Sequence, residues 1–95
     1  MIECNSIDEV RNNINNIDEQ IVKLIALRGH FVNEAAKFKK DTADVKAPKR
    51  VEEVINKVKN LAQLNGANEE VVENVYRTMI DTFIKAEMKE FEILK

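Results

Sequence analysis

The sequence predicts an all-α fold: three helices per chain, the first unusually long, in a helical-bundle homodimer. Three observations carry this. Ile7, Val10, Ile14, Ile17, Ile21, Leu24, Arg28, Phe31, Ala35 and Phe38 recur in alternating steps of three and four, the period of a helix stripe packed against another helix. Helix start and stop signals bound three segments, with no period-two strand pattern between them. Two Gly and one Pro in 95 residues leave few breakers inside those segments.

The first helix is expected over about 7–39. Ser6 with Glu9 three residues later forms a capping-box pattern, and Ile7 opens the seam. Gly29 in its middle costs roughly 1 kcal/mol against Ala, so close packing is expected there. At about 1.5 Å per residue such a helix is roughly 50 Å long. A compact chain of this size has a radius of gyration of about 12 Å. A helix that outruns its own globule, with a seam continuing to both ends, calls for a partner chain to cover it.

Residues 41–47 lose the period and are expected as a mobile charged loop closed by Ala47-Pro48. The second helix, 48–64, carries Val51, Val54, Ile55, Val58, Leu61 and Ala62 on one face and stops at Asn65-Gly66. Asn68 caps the third, 69–94, where Glu69 and Glu70 sit in the first turn. Its stripe is Val72, Val75, Tyr76, Met79, Ile80, Phe83, Ile84, Phe91 and Leu94. Residues 1–95 read as one small domain.

Composition removes several function classes. A net charge of −2 gives no global attraction to nucleic acid or anionic lipid. No apolar run approaches the ~20 residues that span a bilayer, and Met1-Ile2-Glu3-Cys4-Asn5 lacks the regions of a signal peptide, so a cytoplasmic location is expected. Cys4 is the single cysteine, and metal-ligand spacing, phosphate loops and dinucleotide fingerprints are all missing. No metal or cofactor is expected, so chemistry would rest on positioning and electrostatic stabilisation.

Two charges stand where apolar residues belong. Arg28 occupies a seam position, and Glu87 follows Phe83 by one turn on the apolar face of the third helix. An unpaired buried charge costs several kcal/mol, which leaves two readings: a buried Arg28–Glu87 ion pair fixing register, or a ligand cavity between helices. Lys39, Arg50 and Arg11 each read alone as solvated cations. Together with Arg28 they suit a ligand with two carboxylates. Arg11 and Arg28 are roughly 25 Å and about 100° apart on one straight helix. If Arg11 joins the site, it must come from the partner subunit. His30, with no nucleophile beside it in the pattern, reads as a packing or surface residue.

Five stretches resemble the all-α class of chorismate mutases over about residues 7–92: Ile7-Asp8-Glu9-Val10-Arg11, Ile17-Asp18-Glu19-Gln20-Ile21, Leu27-Arg28, Phe38-Lys39 and Pro48-Lys49-Arg50-Val51. The resemblance implies intertwined dimers with shared sites and a Claisen rearrangement of chorismate to prephenate. By it, Arg28 and Lys39 would hold the enolpyruvyl side, Lys39 also reaching the ether oxygen. The partner's Arg11 would grip the other carboxylate, with Arg50 near the ring. Such a pericyclic step needs no nucleophile; the site holds a compact conformer and stabilises charge growing on the ether oxygen.

Departures from the pattern point elsewhere within the class. Val51 replaces a glutamate that contacts the ring hydroxyl, and Phe83 replaces a polar residue of the bacterial mutases. The segment ending Ala47-Pro48-Lys49-Arg50-Val51 resembles the bacterial isochorismate–pyruvate lyases. Glu87 stands where a glutamine donates to the ether oxygen, as in some fungal mutases. A carboxylate cannot donate, whereas a carboxylic acid can. Burial favours its neutral form while Arg28 and Lys39 favour the charged one. Chorismate mutase is the first expectation and isochorismate–pyruvate lyase the second. A non-catalytic dimerisation or ligand-sensing module is the third.

Overall fold

The computed structural model describes residues 3–94, and is all-helical: α1 Ile7–Ala36, α2 Thr42–Lys46, α3 Pro48–Leu64 and α4 Glu69–Leu94. Contacts group the chain into two compact units, Met1–Val32 and Asn33–Lys95. The side chains of Phe91 and Leu94, placed on the α4 stripe by sequence, lie outside the described residues, as do Met1 and Ile2 of the N-terminal reading. Among the described residues no helix is long and apolar enough to cross a membrane.

The first unit is α1 through Val32. Ser6 Oγ accepts the Glu9 N–H at 3.1 Å, and Glu9 Oε2 accepts the Asn5 N–H at 2.8 Å, so the carboxylate reaches one residue further back than in the usual box. No residue of α1 is buried in the single chain. Leu24 is 64% and Phe31 62% exposed, so the apolar seam is uncovered in one copy. Cys4 is half-buried, with its sulfur 3.5 Å from Asn13 Nδ2.

The α-helix expected to run to about 39 ends at Ala36. Beyond it the N–H groups of Lys37, Phe38 and Lys39 bond the carbonyls three residues back, at 3.2, 3.0 and 3.1 Å, which tightens the chain into turns. The cause lies just downstream. Asp44 Oδ2 accepts the Lys40 N–H at 3.0 Å, taking the donor that another turn of α1 would use. The α-helix therefore stops before Lys39.

The expected loop 41–47 is instead occupied by α2. Asp41 is its N-cap, in extended conformation, its Oδ1 accepting the Asp44 N–H at 2.9 Å. The pair repeats the reciprocal capping of α1, with two aspartates in place of Ser and Glu. Val45 is 3% exposed, and α2 packs against α4. One buried valine and a satisfied cap hold five residues that propensity alone would leave unformed. Ala47 then takes φ 36° and ψ 62°, ending α2 and opening α3. Proline bars it from the right-handed region, and this residue turns left-handed.

From Pro48, α3 buries Ile55, Val58 and Ala62 against α4. Its end is a Schellman motif: the Ala67 N–H reaches the Ala62 carbonyl at 2.8 Å and the Gly66 N–H the Gln63 carbonyl at 3.3 Å. Gly66 supplies the required φ of 68°. Asn68 Oδ1 caps α4 through the Val71 N–H at 3.1 Å. Along α4, Ile80 and Glu87 are buried, whereas Val75 is exposed. A polar clasp joins α3 to α4 on the outside. Both terminal nitrogens of Arg77 donate to Glu52 at 3.0 Å, and its Nε donates to Glu73 at 2.8 Å.

Candidate active site

Within the second unit the sequence-selected residues converge in part. Lys39 is half-buried at the end of the turns after α1, and its Nζ donates to the main-chain carbonyl of Asp44 at 3.0 Å. Its charge acts on Glu87 of α4. Glu87 is only 9% exposed, and Oε2 has no hydrogen-bond partner among the described residues. Burial pushes its carboxyl above the ordinary range, Lys39 pulls it down, and Glu90 one turn on adds a smaller upward push. Desolvation wins. The arrangement is a carboxyl held toward its neutral form beside an ammonium group, on a helix packed against its neighbours.

Phe83 is half-buried one turn before Glu87. Val51 is half-buried in the first turn of α3, its N–H on the Ala47 carbonyl at 3.1 Å. Arg50 beside it points to solvent, 69% exposed, with Nη1 3.6 Å from Glu53 Oε2. Arg11 and Arg28 belong to the first unit, Arg11 exposed and Arg28 half-buried. His30 is exposed and meets Phe31 edge to face at 5.2 Å. A shallow hollow along α1, lined by Asn15, Asp18, Glu19, Val22 and Lys23, contains none of the candidate residues.

Among the described residues no three His, Cys, Asp or Glu side chains are placed to hold a metal ion. Sequence reading missed Asp44, which ties Lys39, and Val45, which anchors α2. The signal was present. Asp41-Thr42-Ala43-Asp44 has the spacing of a capping box, with aspartate in the role usually given to Glu or Gln.

Fold and site thus define an all-α chain with a short capped helix and a buried carboxyl on its longest packed pair. Residues 10–88 match the model of the family described as chorismate mutase type II, and the chain belongs to that family of enzymes. It is also 29% identical over 87 residues to an isochorismate pyruvate lyase of Pseudomonas aeruginosa, an alignment covering 92% of this chain and 86% of that protein.

Proposed function

We propose that this protein is a chorismate mutase, rearranging chorismate to prephenate in a site shared between two copies of the chain. One observation carries the chemistry: a buried carboxyl with an unpartnered oxygen, biased toward its neutral form, beside Lys39. A neutral Glu87 donates where a carboxylate could only accept. Lys39 and Glu87 would together stabilise the negative charge that grows on the ether oxygen as the carbon–oxygen bond breaks. Arg28 would fork onto the enolpyruvyl carboxylate and the partner's Arg11 onto the ring carboxylate. Arg50, exposed in the first turn of α3, would approach the ring side, with Val51 and Phe83 as apolar walls.

A homodimer is supported by the uncovered seam of α1, since exposed apolar stripes of this length mark protein contacts. A second reading, isochorismate–pyruvate lyase, is favoured by the similarity to the Pseudomonas aeruginosa enzyme of that name. It would use the same cations on the same kind of dicarboxylate. Incubation with chorismate and with isochorismate separately, assaying prephenate, salicylate and pyruvate, decides between them. Prephenate formation from chorismate at the higher kcat/KM supports the mutase. Salicylate and pyruvate from isochorismate at the higher kcat/KM would replace it with the lyase. Binding without turnover of either would identify a sensing module.

A further inference from the structure

We infer that Asp44 is a positioning residue, holding the Lys39 ammonium beside Glu87 through three separate ties made by one short helix. The inference rests on the proposed role of Lys39 at the ether oxygen. Each polar group of Asp44 is engaged. Its N–H donates to Asp41 Oδ1 at 2.9 Å, which closes the N-cap. Its Oδ2 accepts the Lys40 N–H at 3.0 Å, which fixes the main chain next to Lys39. Its carbonyl accepts Lys39 Nζ at 3.0 Å.

Two residues downstream leave that carbonyl open to a side chain. In a continuing helix it would accept from residue 48, but Pro48 has no N–H. Ala47, left-handed at φ 36°, also turns the backbone away. The carbonyl oxygen at the end of α2 is left to the ammonium group, where the helix dipole also favours a cation. Val45, 3% exposed, then fixes the whole device to α4, the helix that carries Glu87. A substrate oxygen would meet a lysine already ordered, so less side-chain freedom is lost on binding.

The carboxylate is the removable part of this device. Asp44→Ala takes away the Lys40 tie and loosens α2, while Asp44→Asn keeps an oxygen that accepts the same N–H. Among the described residues, Lys39 and Glu90 act by charge on Glu87. Carbon NMR titration of the Glu87 carboxyl therefore reports where Lys39 is. Lys39→Ala should raise that midpoint, Asp44→Ala should raise it in the same direction, and Asp44→Asn should leave it near wild type. In the product assay Asp44→Ala should lose about tenfold or more in kcat/KM, and Asp44→Asn should stay within about threefold. A merely structural Asp44 predicts a lower Tm with the Glu87 midpoint unmoved, and that result overturns the inference while leaving the role of Lys39 intact. Full activity in Lys39→Ala would sink the proposed role of Lys39, and with it this inference.

Discussion

At the scale of single residues, Glu87 sets a pH dependence whose sign comes from its burial. Folding raises its carboxyl above the ordinary 4.5, so the native chain holds this proton to higher pH than the unfolded one. The group's contribution is fully present below 4.5 and is lost as pH rises through the raised value. Glu87→Gln is neutral at every pH and escapes that loss. Its Tm relative to wild type should climb from acid toward neutral pH and then level off. A Tm difference that stays flat across this range contradicts the burial argument. With Glu87 as a donor, turnover should rise toward acid pH, and the same substitution should flatten that profile, because an amide donates at any pH.

At the scale of elements, α3 and α4 are joined by an apolar inner face and by the Arg77 clasp outside it. Arg77 lies between Glu52 and Glu73, its hydrogen bonds holding both carboxyls below their ordinary range. Lys59 adds a second cation on Glu73 at 3.5 Å. Depressed carboxylates stabilise above their unfolded values and lose that contribution as pH falls. Arg77→Ala should therefore lower Tm at pH 7, by an amount that shrinks with added salt and again below pH 4.5. An unchanged difference at pH 3 would show the loss to be packing of the side-chain stem instead. The elements themselves were legible where the sequence states them redundantly. The α3 span is the one expected from Pro48 and Asn65-Gly66, because a fixed proline and a left-handed glycine leave the backbone little choice. The seam of α1 was equally plain, but its end was not. Phe38 continues the heptad spacing while the chain has already tightened, since capping of α2 outcompeted one more turn. α2 escaped notice because five residues have no period to read, and its stability comes from one buried valine. Of the candidate site residues, Lys39 and Glu87 were singled out by their places along the helices. The acceptor of Lys39 was not, being a main-chain carbonyl that any residue type supplies.

At the scale of the whole molecule, the uncovered seam and the spacing of the arginines make one joint prediction. The seam of α1 exposes Ile7, Val10, Ile14, Ile17, Ile21, Leu24 and Phe31 in a single chain. Seven such side chains along one stripe are a cost in water that a second copy would remove. In a two-fold dimer every contact would be made twice with the roles of the two chains exchanged. Arg11 and Arg28 lie roughly 25 Å apart along α1, too far to grip one small dicarboxylate from the same chain. A shared site would take Arg28 from one subunit and Arg11 from the other. Arg11→Ala and Arg28→Ala should each abolish most turnover as pure homodimers. When the two variants are unfolded together and refolded, half of the dimers are mixed. A mixed dimer places both substitutions in one site and leaves the second site with both arginines. Mixing should thus restore about one quarter of wild-type activity from two nearly inactive parents. Activity that stays at the parental level, with mixed dimers demonstrated by mass spectrometry of differently tagged chains, would place both arginines of each site on one subunit.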